Sequence, residues 1–283
     1  MNNLKTVGLL AFMTTLLWLV CVALFPDGGF MIGLVIAVGF NFLAYFFSDK
    51  MALAASRARP VTEAEQPQVY AIVRRLAEQT RMPMPSIYLI DSAQPNAFAT
   101  GRSPKKAAVA VTSGILQVLD FDELEGVLAH ELAHVQNRDI LISSIAAMIA
   151  AALTMLARMA FWFGGGNNRE SPLGAIGAVL SLIVAPIAAM LIRMAISRTR
   201  EFQADETGAE ITGRPMKLAA ALEKISMGAD RIPMNVNPAT AQLFIENPMK
   251  GLRGGGGMMR LLSTHPPTEE RIFRLQQMAE GVR

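Results

Sequence analysis

Residues 128–145 read LAHELAHVQNRDILISSI. His130-Glu131-Leu132-Ala133-His134 is an H-E-x-x-H pattern. Residues four apart on a helix share a face, so both imidazoles can aim at one ion. Val127, Leu128, Leu132 and Val135 give the same helix an apolar side that can be buried. Zinc accepts neutral imidazole nitrogen, and three protein donors leave a position open to water. A metal in that position acidifies water and polarises a carbonyl. Glu131 lies beside the open position, where it can act as general base. One residue past Arg138-Asp139 the polar pattern stops, and Ile140–Ala157 carries no charge. The stretch therefore joins a candidate hydrolytic centre to a candidate membrane segment.

Working outward, four segments are apolar enough to cross a bilayer, which takes about 20 apolar residues with roughly 17 tolerated. They are Val7–Phe25, Phe30–Phe47, a third from Ile140 extending to about 163, and Leu173–Ile192, which contains Pro186. The first two are separated only by Pro26–Gly29 and read as a transmembrane hairpin rather than a cleaved signal peptide. Clustering matters more than the averages of 52% hydrophobic and 17% charged residues, which already sit at the apolar end for a soluble chain.

The net charge of +3 becomes informative once placed. Lys50, Arg57, Arg59, Arg74 and Arg75 follow the second span, and Arg193, Arg198 and Arg200 follow the fourth. The connections at 26–29 and 164–172 hold only Arg169. The positive-inside rule then places both termini and the polar regions in the cytoplasm. Dispersed arginines without interleaved aromatics argue against a nucleic-acid partner. Cys21, the single cysteine, excludes an intramolecular disulfide.

The polar material falls in two blocks, which gives the domain scheme. Residues 1–48 form the first hairpin, 49–139 the first catalytic part, 140–192 the second hairpin and 193–283 the second catalytic part. The first block predicts a helix over Thr62–Thr80, a strand at Ser86–Asp91, a strand at Lys106–Thr112, a short helix at Ile115–Leu119 and a helix over Phe121–Asn137 capped by Asp120 or Asp122. The second predicts helices at about 193–212, 215–228 and 267–279, with Pro215 and Pro267 suited to first turns. The expected class is a mainly α membrane protein: four transmembrane helices plus a discontinuous cytoplasmic α+β domain.

A third metal donor is needed. Ile140 stands where one extended pattern would place another histidine, so a carboxylate from a later helix is the other solution. Ser197–Asp205 offers Glu201 and Asp205, four apart on one face. Glu201 would bind the zinc, and Asp205 would accept a hydrogen bond from the other nitrogen of a ligating imidazole. Glu206 and Glu210 are rival donors, and Glu201 could instead pair with Arg198 or Arg200. His265, held extended before Pro266-Pro267, is a candidate donor to the oxyanion of amide hydrolysis. Asn137, near His134, is a candidate hydrogen-bonding neighbour within the site. Arg271 could anchor the His265 loop or the site itself.

Together, His130-Glu131-Leu132-Ala133-His134, Arg200-Glu201-Phe202-Gln203-Ala204-Asp205 and Thr264-His265-Pro266-Pro267 resemble the HtpX family of bacterial membrane zinc metalloproteases, relatives of the CAAX prenyl endoproteases and Oma peptidases. Asn96-Ala97-Phe98-Ala99-Thr100-Gly101 followed by Ala108-Val109-Ala110-Val111-Thr112 is similar to that family as well. The resemblance implies a gluzincin-type protease of the bacterial cytoplasmic (inner) membrane, with one Zn2+ per chain. It implies a stress-linked enzyme that cleaves misfolded or unassembled membrane proteins and can cleave itself. His130, His134 and Glu201 would hold zinc and Glu131 would act in catalysis. Residues 107–112, with Ala108, Val109, Ala110 and Val111, would form an edge strand pairing with extended peptide segments of substrate, which suits sequence-tolerant recognition. The partners implied are membrane-protein substrates and the lipid bilayer. Two other readings are a CAAX-type processing protease and a non-catalytic zinc-stabilised membrane chaperone. Glu131 counts against the chaperone, since a structural site needs no base.

Overall fold

The computed structural model describes residues 2–24, 27–137, 139–149, 198–234, 236, 238–249 and 266–281. Two apolar helices open the chain, α1 (Asn2–Leu24) and α2 (Gly29–Ala55). They pack along each other around Leu9, Met13, Leu17 and Ala37. Asn41 of α2 donates to Thr14 Oγ1 at 2.5 Å and to Leu10 O at 3.3 Å across this seam. Among the described residues one helix, α2, is long and apolar enough to cross a membrane, with a mean hydropathy of 2.2. Its outer side shows Phe30, Val35, Val38 and Phe42, each more than half exposed. A contiguous apolar surface of that kind marks an interaction site rather than a wetted face. The second hairpin expected at 140–192 lies outside the described residues beyond its opening helix, α6 (Asp139–Ile149).

Among the described residues the polar region folds as helices around a four-stranded sheet. Its strands are β1 (Arg59–Pro60), β2 (Ser86–Ile90), β3 (Ala97–Thr100) and β4 (Ala108–Thr112), in the order β1-β2-β4-β3. β2 and β4 run parallel, with Ser86 opposite Ala108, and β3 returns antiparallel, with Ala99 opposite Val109. The helices are α3 (Pro67–Gln79), α4 (Ser113–Val118), α5 (Phe121–Gln136), α7 (Arg198–Thr212), α8 (Pro215–Arg231), α9 (Pro238–Ala241) and α10 (Thr268–Ala279).

Both faces of the sheet are covered, so its strands read as continuous apolar runs. Ile87, Leu89, Ala97, Ala99, Val109 and Val111 join the core made by α3, α5 and α8. Ile90, Phe98, Ala108 and Ala110 turn the other way, onto Met234, Val236 and Phe244 and onto Ala52 and Leu53 of α2.

This topology overturns the edge-strand expectation for residues 107–112. β4, which carries Ala108, Val109, Ala110 and Val111, is interior, hydrogen-bonded to β2 on one side and β3 on the other. Its main-chain groups are already paired and cannot take a peptide. Among the described residues the edge on this side is β3. The sequence order of two short apolar strands carries no information on which one ends the sheet.

α5 begins where the sequence places it. Asp120 accepts from the Glu123 amide at 2.8 Å, and Glu123 accepts from the Asp120 amide at 2.9 Å. This reciprocal cap satisfies two of the helix's orphan donors and stabilises it by about 1 kcal/mol. α7 packs along α5, and α8 and α10 pack behind them.

Candidate metal centre

His130 and His134 stand one turn apart on α5, and Glu201 reaches them from the first turn of α7. Their donor atoms all lie within 4.8 Å of one another. The Nε2 atom is the inward one on each ring: His134 Nε2 is 3.4 Å from Glu201 Oε1, and His130 Nε2 is 3.9 Å from Glu201 Oε2. The two imidazoles are nearly perpendicular, with centroids 4.8 Å apart. Among the described residues this is the only such cluster able to hold a metal. The rival carboxylates Glu206 and Glu210 are exposed on another side of α7. Arg200 Nη1 donates to Asp139 at 3.1 Å.

The outward ring nitrogens are occupied too. His130 Nδ1 lies 2.8 Å from Asp205 Oδ1, and His134 Nδ1 lies 3.4 Å from Asp139 Oδ2. A carboxylate on Nδ1 fixes the tautomer that leaves the Nε2 lone pair facing the centre. Asp205 is in turn gripped by Arg271, which is 1% exposed. Its Nε donates to Oδ2 at 2.8 Å and its Nη2 to Oδ1 at 2.6 Å. Arg271 Nη2 also lies 3.4 Å from His130 Nδ1. Both are donors when Nδ1 serves Asp205, so that approach is proximity rather than a bond.

These neighbours set the charge states. Burial pushes His130 down to about 4, against the pull of Asp205, so its ring is neutral. Burial also acts to lower His134, but Glu201, Asp139 and Glu131 outweigh it and raise the ring to about 9. Burial acts to raise Asp205, but Arg271 and then His130 hold its carboxyl down at about 2. The cluster thus draws a positive charge onto itself. Two imidazole nitrogens and a carboxylate around an electron-rich point suit a divalent cation, and the donor set suits zinc.

Glu131 is 3% exposed and projects from α5 toward the sheet, where its Oε2 accepts from the Ala99 amide at 2.8 Å. The edge strand and the candidate base therefore meet. Asn137 is the exposed C-terminal cap of α5, and Asp139 Oδ2 lies beside His134 Nδ1. His265 lies outside the described residues. Sequence reasoning missed Asp139, although a buried-site carboxylate at the start of an apolar run is a legible signal. It left the purpose of Arg271 open, and it missed β3 as the edge.

The sequence profile described as "Peptidase family M48" matches residues 63–279. A curated protein named "Protease HtpX homolog", from Thermodesulfovibrio yellowstonii, is 51% identical over 283 residues, covering 99% of each chain. A crystal structure of Ste24p from S. mikatae superposes with a TM-score of 0.52 at 20% identity, covering 97% of this chain. The match takes in 65% of Ste24p, so this chain spans under two thirds of that protein, and the likeness is one of fold.

Proposed function

The chain belongs to peptidase family M48, and from that premise we propose that it is a zinc-dependent endopeptidase of the bacterial cytoplasmic membrane that cleaves misfolded or unassembled membrane proteins on the cytoplasmic side. The observation that carries this is the convergence of His130, His134 and Glu201, with Glu131 next to His130 in sequence and bonded to the Ala99 amide of β3.

In this reading His130, His134 and Glu201 hold one Zn2+ through Nε2, Nε2 and a carboxylate. The ion supplies Lewis acidity to water and to the scissile carbonyl. Glu131 takes a proton from the attacking water and delivers it to the departing amine. Asp205 and Asp139 hold the two rings in the required tautomer, and Arg271 keeps Asp205 ionised. His265 serves as donor to the oxyanion. The substrate lies extended along β3. The register, with the Thr112 amide on Asn96 O, turns the N–H and C=O of Ala97 and Ala99 away from β4. Ala97 is engaged by Asn96 Oδ1 and the Ile245 amide, and the Ala99 N–H by Glu131, so the Ala99 carbonyl is the group that pairs with that substrate. Main-chain pairing of this kind accepts many sequences, as a quality-control protease requires.

Membrane anchorage rests on α2, on the exposed apolar residues along it, and on the four apolar segments at about 7–25, 30–47, 140–163 and 173–192. The positive-inside pattern sets both termini and the two catalytic parts, 49–139 and 193–283, in the cytoplasm. The start of the apolar helix α6 immediately after α5 supports a metal centre close to the headgroups, within reach of membrane-derived substrates.

The test uses full-length protein purified in detergent and loaded with zinc. It should degrade an unfolded membrane protein, and both a chelator and Glu131→Gln should stop this, while Glu131→Gln still binds zinc. Undiminished cleavage by Glu131→Gln would refute the mechanism.

A further inference from the structure

The edge of β3 is not open along its whole length. Residues 243–249 form a strap that crosses it at Ala97. Ile245 donates its amide to Ala97 O at 2.9 Å. The Asn96 side chain reaches the main chain of the next residue, its Nδ2 donating to Glu246 O at 2.9 Å and its Oδ1 facing the Glu246 amide at 3.4 Å. Gln94 Nε2 donates to Pro248 O at 2.8 Å and to Ile232 O at 2.6 Å. Phe244, fully buried, meets Phe98 of β3 edge to face at 4.9 Å. From the other side, Arg271 Nη1 donates to Ile245 O at 3.2 Å and Thr268 Oγ1 to Glu246 Oε2 at 2.7 Å. Ile245 thus sits at the edge as one residue of a bound peptide would, with its N–H on the strand and its C=O satisfied behind. Gln94 and Asn96, both 0% exposed, are committed to holding it there.

We infer that this strap is a fixed wall that confines main-chain recognition of the substrate to one side of the scissile bond. The inference rests on the reading of β3 as the substrate-binding edge. Glu131 lies at the Ala99 amide, so the bond to be cut lies opposite Ala99. The wall at Ala97 begins two residues away, roughly 7 Å at the rise of an extended strand. Antiparallel pairing is the more stable arrangement. A substrate paired that way runs from Gly101 toward Ala97, so its N-terminal portion lies over Ala99 and Gly101 and its C-terminal portion meets the strap. Beyond about one residue past the cut, the chain turns off the sheet and makes no ladder bonds. Specificity is then read N-terminal to the cut, and the C-terminal portion is tolerated whatever its main-chain conformation.

The experiment scans a cleaved peptide with single N-methyl groups, one amide at a time, using full-length zinc-loaded protein in detergent. The expected result is a loss in kcat/KM of tenfold or more at alternate residues N-terminal to the bond, and less than threefold from the second C-terminal residue onward. Equal losses on both sides, or losses confined to the C-terminal side, overturn the wall. No loss on either side overturns the reading of β3 as the binding edge, and the wall with it. A second measurement follows hydrogen exchange at the Ile245 amide in Glu131→Gln, with and without an uncut long peptide. Protection should be unchanged on binding, and a tenfold faster exchange would show that the strap yields.

Discussion

A Cβ placed on Gly208 of α7 would stand 2.8 Å from the amide nitrogen of His130 and 3.1 Å from its Cα. The two helices cross at backbone contact, directly behind the metal-facing histidine. Glu201, Asp205 and Gly208 lie on one face of α7 at successive turns, so the absent side chain is what lets the two carboxylates reach α5. The obstruction is main chain, which cannot swing aside as a flexible side chain could. Gly208→Ala should therefore lower stability by about 1–3 kcal/mol through overpacking. It should weaken zinc binding as well, because Glu201 moves with its helix. A melting curve and a zinc titration check both; unchanged zinc affinity would show that the crossing does not position Glu201.

Asp139 is the partner of His134 Nδ1 and is itself held by Arg200. Asp139→Asn keeps the shape and removes the charge. Zinc affinity should fall about 10- to 100-fold, the usual cost of losing a carboxylate behind a ligating imidazole. Competition with a chromogenic chelator measures it. Asn137→Ala, one helix terminus away and exposed, should change affinity little.

Removal of the metal should be legible in stability alone. A ligand that binds only the folded chain stabilises it by about 4 kcal/mol at a thousand times its Kd. Zinc-loaded protein should therefore melt several degrees above chelator-treated protein. Glu201→Gln should abolish most of that difference, whereas Glu131→Gln should keep it. A zinc-dependent shift surviving in Glu201→Gln would remove that carboxylate from the donor set.

Asp205 predicts an acid limit. Its folded value of about 2 lies below the ordinary 3.8. A depressed carboxylate contributes stability that is fully present above the ordinary value and is lost as pH falls through the folded one. The metal-free protein should thus lose stability between about pH 4 and pH 2, and Asp205→Asn should flatten that loss while lowering stability near neutrality. Denaturant melts across that range decide it. An unaltered acid branch in the variant would show that Arg271 and His130 do not hold the Asp205 proton off.

The parts of the site that repeat every four residues were legible in the sequence. His130 and His134, and then Glu201 and Asp205, advertise shared helical faces by spacing alone, and the Asp120–Glu123 cap announces where α5 starts. What was not legible depends on partners far away in sequence. β3 is four residues long with both faces buried, so it shows no alternation to distinguish it from a loop. The order of β3 and β4 in the sheet is set by which neighbours they pair with, and the expectation that residues 107–112 form the edge failed for that reason. Arg271 looks like an ordinary surface arginine at the start of an amphipathic helix until α10 docks it against Asp205. The strap has no periodicity at all; its place is fixed by Gln94 and Asn96, well over a hundred residues earlier.

The donors of the metal centre are dispersed along the chain: two precede the long apolar insertion, one follows it, and the arginine that steadies their support stands near the C-terminus. A nascent polypeptide emerging from the ribosome holds two of the three donors, His130 and His134, until α7 brings Glu201 against α5. A copy still being synthesised therefore lacks the complete donor set. The order of the chain thus makes the centre a late product of folding, closed only when distant segments meet.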